Sequence, residues 1–313
     1  MVGAALQQIS EPLRRALERE VSRAAGEALS LTPFAELKGV ADETLKLVAR
    51  GARGEKIGVV LCSPAIAPQL IARGCERGRA AHAALGAELG RVVVVAHAEG
   101  VCEARSWALF PQARVLGAGV AGKLERRWLA GALLAWLRSA AAHTAGPADD
   151  AARSRADDAL ACVEREPALD LRVRDAAREA RVRLAAGAWR PRHVLMHGDL
   201  WSGNVLGAPR ALPFSRRFVL IDWDTSRCEG FPFFDLVRAA RSFGLSRARL
   251  GGEIEAHVAQ LGGIREDARC ALAAALGHIG LARENFPLQR YAEMCRDTLA
   301  TFDAAISLRT PQP

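Results

Sequence analysis

The chain is 313 residues long, 50% of them apolar, and carries a formal charge of +8. That length suits one large domain or two modest ones, and no apolar run approaches the roughly 20 residues that a membrane-spanning helix needs. Arginine supplies nearly all the positive charge, because only Lys38, Lys46, Lys56 and Lys123 are lysines, and its spread along stretches such as REARVR (178–183) forms no nucleic-acid-binding arm.

The opening MVGAALQQISEPLRRALEREV has charges where a secretory leader needs an apolar block, so it reads as a short amphipathic helix. LKLVARG (45–51) and KIGVVLCS (56–63) are β-rich runs joined by ARGE, a hairpin connection. An alanine-rich helix follows from about 66 to 85, and then two strand-like runs, RVVVVAHAEG (91–100) and ARSWALFP (104–111), the second ended by Pro111. Beyond about residue 123 the pattern turns helical. KLERRWLAGALLAWLRSAAAH (123–143) has apolar residues at spacings of three and four. TAGPADD (144–150) is a loop, and helices are expected at 151–166 and 170–187. RFVLIDW (217–223) reads as a strand, and helices are expected near 235–245, 249–262, 266–284 and 288–307. Seven cysteines with no Cys-x-x-Cys pair argue against a disulfide framework or a zinc ribbon, and for reduced thiols in the cytoplasm. The expected class is α+β with two lobes, a small sheet-rich one over 1–111 and a larger helical one over 112–313, with a cleft between them.

GAGVAGK (117–123) matches Gly-x-Gly-x-x-Gly and nearly matches a P-loop. A P-loop needs Ser or Thr after the lysine to reach magnesium, and Leu124 stands there. A dinucleotide fold needs a strand and an acid about 20 residues on, where SAAAHTA (139–145) offers neither. The stretch reads as a linker entering a helix at Lys123.

RHVLMHGDLWSGNVLG (192–207) carries more chemistry. Phosphoryl transfer from ATP needs a carboxylate to orient or deprotonate the attacking hydroxyl, and oxygen ligands to hold magnesium against the phosphates. Asp199, then Asn204 five residues later, then Asp222 after FVLI supply that order. Hard oxygen donors suit Mg2+.

HGDLWSGN (197–204) followed by LIDWD (220–224) resembles the aminoglycoside phosphotransferase and choline kinase superfamily, a branch of the protein-kinase-like fold; the loop is especially similar to that of fructosamine kinases. GFPFFDLVRAAR (230–241) resembles the next landmark, an Asp opening a helix after the magnesium segment. The resemblance implies that Asp199 is the catalytic base, that His197 braces the loop, and that Asp235 fixes it through hydrogen bonds. It implies that Asn204 and Asp222 hold Mg2+. Asp224 faces the cleft or stands behind it; Trp201 and Trp223 line the acceptor pocket or pack in the core.

The family places a lysine on the third strand, paired with a glutamate on the next helix, to hold the phosphates. KIGVVLCSP puts Cys62 at that place. Lys46 on the preceding strand is the expected replacement, a substitution known in one family of protein kinases, with Lys56 as the alternative and Glu76 as the partner, although Arg79 falls close to the same register. LKGVADETLK (37–46) has only Gly39 where a glycine-rich flap is expected. Adenine is expected against backbone near Phe110, in LFPQ (109–112). The implied activity is transfer of the γ-phosphate of ATP to a hydroxyl of a small polar molecule, a sugar, an amino-sugar or an aminoglycoside-like acceptor. The carboxylates Asp199, Asp222, Asp224, Glu229 and Asp235 favour a cationic one. The missing strand lysine leaves a second reading open, a silent binding or scaffold protein. No nucleic acid is expected as partner, and the basic amino-terminal helix is expected to pack on the small lobe rather than on a membrane.

Overall fold

A computed structural model describes residues 9–34, 44–283 and 286–307. Helix α1 (Glu11–Ala25) buries Leu13, Leu17 and Val21, one stripe at spacings of four, and stops at Gly26 in the left-handed region, φ 73°. Strands β1 (Ser30–Pro33), β2 (Leu45–Arg50) and β3 (Lys56–Cys62) precede helix α2 (Leu70–Gly90), and β4 (Ala98–Cys102) and β5 (Arg105–Pro111) follow it. They form one antiparallel sheet in the order β1-β2-β3-β5-β4. The expected flap lies largely outside the described residues, which resume at Thr44.

Alternation along the strands gives the sheet two faces. Leu47, Ala49, Val60, Cys62, Trp107 and Leu109 pack with α1. Leu61, Ala108 and Phe110 pack with Ile71 and Cys75 of α2. The expected amino-terminal helix thus covers the outer face of the sheet, and α2 lies on the inner one.

Two expectations about segments are corrected. The valine run does not enter the sheet as its own strand; the strand is Ala98–Cys102, and Val93 bridges Leu220 instead. Val94 N–H donates to the Leu220 carbonyl at 3.1 Å, and Leu220 N–H to the Val92 carbonyl at 2.7 Å. GAGVAGK is no linker either. Helix α3 (Gly119–Thr144) already runs through Gly122, where a Cβ would stand 1.6 Å from the Gly117 carbonyl oxygen.

Helices α4 (Asp150–Arg165) and α5 (Leu171–Ala185) then lead to β6 (Val194–Met196) and β7 (Val205–Gly207). Asp149 and Asp170 cap the two helices, each side chain accepting a backbone N–H of the first turn. β8 (Phe218–Leu220) pairs with β7, and β9 (Arg227–Gly230) pairs with β6. Four more helices close the chain: α6 (Phe234–Ser242), α7 (Arg247–Leu261), α8 (Arg265–Leu281) and α9 (Leu288–Ile306). The second core runs through α3 to α9, with Leu129, Leu133, Leu160, Phe234, Leu272 and Phe302 among its buried side chains. Among the described residues no helix is long and apolar enough to cross a membrane.

Candidate active site

The loop after β6 is held from behind. Buried Asp235, in the first turn of α6, accepts His197 N–H at 2.6 Å on one carboxylate oxygen and Gly198 N–H at 3.0 Å on the other. Gly198 sits at φ 83°, where a Cβ would lie 2.8 Å from the Thr225 carbonyl oxygen, so the position requires glycine. His197 stitches this loop to the chain after β8. Its Nε2–H donates to the Ile221 carbonyl at 3.0 Å, its Nδ1 faces Asp199 N–H at 3.4 Å, and its ring lies 4.5 Å from that of Trp223. Burial lowers its pKa to about 4, so the imidazole is neutral.

Asp199 stands at the front of the loop. Asn204 Nδ2–H donates to its carboxylate at 3.2 Å and to its carbonyl at 2.9 Å. Arg238, one turn beyond Asp235 on α6, donates to the other carboxylate oxygen at 2.8 Å, and Trp201 also hydrogen-bonds the side chain. Burial raises the carboxyl's pKa, and Arg238, Asn204 and Trp201 oppose the rise.

The register of β7 and β8 brings the other residues to the same place. Val205 pairs with Leu220, and Ile221 N–H donates to the Asn204 carbonyl at 3.1 Å, so Asn204 and Asp222 flank one open end of the ribbon. Asp222 is exposed, at φ 68°. Its side chain shares a hydrogen bond with Asp224, whose carboxyl is raised by burial, opposed by Arg77 and raised further by nearby Asp199. The inner helix turns Gly74 and Gly78 toward this segment, with room for an ordinary van der Waals contact at each. A Cβ on Gly74 would meet Asp224 Cβ at 3.6 Å, and one on Gly78 would meet Trp223 Cβ at 3.7 Å.

Asp224 thus stands in the field of Asp199 and hydrogen-bonds Asp222, and acids so placed are what a divalent cation would neutralise. Among the described residues no three His, Cys, Asp or Glu side chains gather as a metal-holding group. The donors therefore suit an ion that takes few protein oxygens and fills its shell with water and phosphate, as Mg2+ does. Asn204 turns its Nδ2 to Asp199, and its amide oxygen is the donor it would offer such an ion at the ribbon end that also carries Asp222.

The structure sorts the remaining expected residues. Cys62 is fully buried against α1, on the wrong face of the sheet; the residue of β3 nearest it on the inner face is Leu61. Lys46 lies directly across from Leu61 in the β2–β3 register and so shares that inner face. Lys56, at the far end of β3, is exposed. Glu76 is also exposed, and from α2 Arg77 lies within the field of Asp224. Phe110 packs between the sheet and the β7–β8 ribbon, touching both small clusters there. Trp223 is core, whereas Trp201 is exposed beside Asp199, its ring over Gly203. Asp235 is buried behind the loop and Glu229 pairs with Arg155 at 3.4 Å, while Asp224 interacts with the carboxylates of Asp199 and Asp222. Arg238 was missed; its signal was the spacing of three from Asp235, which puts both on one helix face.

A sequence model described as the phosphotransferase enzyme family matches residues 67–273. No curated protein matches the chain. Among solved structures, it is similar to a protein assigned as a fructosamine-3-kinase from Haemophilus somnus, at 8% identity over 92% of this chain and 97% of that one, with a TM-score of 0.55. A choline kinase from Streptococcus pneumoniae is 11% identical over 94% and 100% of the two chains, with a TM-score of 0.53. A thermostable mutant of an aminoglycoside phosphotransferase, in ternary complex with ADP and hygromycin B, is 14% identical over 95% and 100%, with a TM-score of 0.52. At such identities the likeness is one of fold.

Proposed function

The chain belongs to the phosphotransferase enzyme family, and from that premise we propose that it moves the γ-phosphate of ATP to a hydroxyl of a sugar, an amino-sugar or an aminoglycoside-like acceptor. It has the protein-kinase-like fold and is a small-molecule kinase; the nucleotide, the metal and the acceptor class are the proposal. Residues 1–111 would form the nucleotide lobe and 112–313 the lobe with the catalytic loop, in a reducing cytoplasm where all seven cysteines stay free thiols.

The observation that carries this reading is the meeting of Asp199 with Asn204 at the ribbon end that also presents Asp222. Asp199 accepts the hydroxyl proton on the oxygen facing Asn204, while Arg238 holds the other oxygen and keeps the carboxylate oriented. Asp235 and neutral His197 fix the loop so that the carboxylate does not reorganise during the reaction. Magnesium, when bound at Asn204 and Asp222, would neutralise charge developing between the phosphates. Lys46 would supply a cation on the inner face of the sheet, and backbone near Phe110 would meet the adenine. Trp201 would line the acceptor pocket.

An ADP-release screen over these acceptor classes, with Asp199→Asn as the blank, tests the reading. We expect turnover on at least one class and a loss of about 10²–10⁴-fold in the variant; undiminished turnover overturns the assignment. Leu61 in place of a cation on β3 favours the second reading, a silent binding protein. Thermal shift with ATP separates the two, because a kinase should be stabilised further when magnesium is added and Asp222→Ala should abolish that increment.

A further inference from the structure

Two segments far apart in sequence, 114–128 and 209–217, are fastened into one surface. Buried Glu125 receives Arg114 Nη1–H at 3.2 Å, Gly117 N–H at 3.1 Å and Phe214 N–H at 3.2 Å. Arg114 in turn donates to the Ala211 carbonyl at 3.0 Å and exchanges backbone hydrogen bonds with Gly207. Arginine holds the Glu125 carboxyl down at about 2, so this clamp stays ionised.

What the clamp displays is unusual. Val120, Leu124 and Trp128 lie at spacings of four on the first turns of α3 and are 77%, 53% and 52% exposed. Leu212 and Phe214 beside them are 78% and 46% exposed, and Phe214 is held at φ 61°. Around this apolar stripe stand exposed Lys123, Arg127, Arg210, Arg216 and Arg217, with Arg216 lying 5.3 Å over the ring of Trp128. The two segments contain no acid besides the clamped Glu125.

We propose that this face is a docking surface for an anionic phospholipid bilayer. Apolar side chains that reach the acyl boundary, ringed by cations that meet the headgroups, are what interfacial attachment requires. Charge complementarity decides against the other occupants. A second copy seated face to face would oppose two sets of five like charges. A nucleic acid would match the cations but leave Val120, Leu124 and Leu212 with nothing to bury them. The surface also leaves the site accessible. It hangs from the Gly207 and Phe218 end of the β7–β8 ribbon, and Asn204 and Asp222 flank the opposite end.

The full-length chain should be sedimented with phosphatidylglycerol-containing vesicles and with pure phosphatidylcholine vesicles. We expect binding to the anionic vesicles alone, weakened by salt, and reduced at least tenfold in Leu212→Asp/Phe214→Asp and in Lys123→Glu/Arg216→Glu. Hydrogen exchange on the unaltered chain supplies a readout that needs no variant: anionic vesicles should protect amides within 119–128 and 209–217. The proposal is overturned if vesicles fail to bind, if protection falls on other segments, or if well-folded variants bind as tightly as the parent. It is overturned equally if the face proves to hold a dimer or to prefer single-stranded RNA.

Discussion

His197 and Asp235 touch the same loop and titrate in opposite senses. Burial holds His197 at about 4 against an ordinary 6.5, so the unfolded chain takes up the proton first and stability is lost as pH falls from about 6.5 to about 4. Burial lifts Asp235 to about 6 from 3.8, so the folded chain holds its proton longer and stability is lost as pH rises from about 4 to about 6. At about 1.4 kcal/mol per unit, each slope amounts to about 3 kcal/mol across its window, and the two largely cancel. Urea midpoints between pH 4 and 6.5 should therefore fall more steeply on acidification in Asp235→Asn than in the parent. His197→Gln should do the reverse and gain stability on acidification. The nucleotide side offers a second test at this scale. Lys46→Ala should raise the KM for ATP by about 10–100-fold, the equivalent of a charged hydrogen bond of about 1.5–3 kcal/mol. Cys62→Ala, on the far face of the sheet, should leave that KM within about twofold of the parent.

At the scale of elements, the approach of α4 to α8 depends on Gly277, where a Cβ would lie 1.9 Å from the Ala159 carbonyl oxygen. Backbone cannot yield as a side-chain tip does, so Gly277→Ala should cost about 1–3 kcal/mol in a denaturant titration. Periodicity made most of the helices legible: α4 to α9 fall within a few residues of their expected bounds, because amphipathic stripes and loop residues mark them locally. The valine run was not legible. Its apolar residues are continuous, and what decides their place is Leu220, more than a hundred residues away. Cys62 failed for a different reason. A slip of one position along β3 exchanges the two faces of the sheet, and only the packing of α1 reveals which face is which. Asp199 and Asn204 meet across one short turn, and the β7–β8 hairpin sets Asp222 at the ribbon end that Asn204 occupies, so their placement rests on local chain geometry. Arg238 could have been found from its spacing of three to Asp235 on α6, whereas Arg77 comes from a helix whose rotation about its axis the sequence does not display.

Among the described residues there are two large cores rather than one, Leu17, Val60 and Trp107 belonging to the sheet-side core and Leu133, Leu272 and Phe302 to the helical one. Each core holds its own buried thiols, Cys62 and Cys102 in the first, Cys270 and Cys295 in the second, while Cys228 is exposed. Burial pushes Cys62 and Cys270 up to about 11 and Cys295 to about 12, so these sulfurs resist alkylation until their surroundings open. Cys228, whose thiol burial and Glu229 also raise, is exposed and should be the first to take up iodoacetamide. In rising urea, mass spectrometry should then find Cys62 and Cys102 labelled before Cys270 and Cys295, since the smaller core has less burial to lose; simultaneous labelling would mean that the two halves melt as one. The chain thus carries a clock in each half, and the interval between them would measure how firmly one half steadies the other.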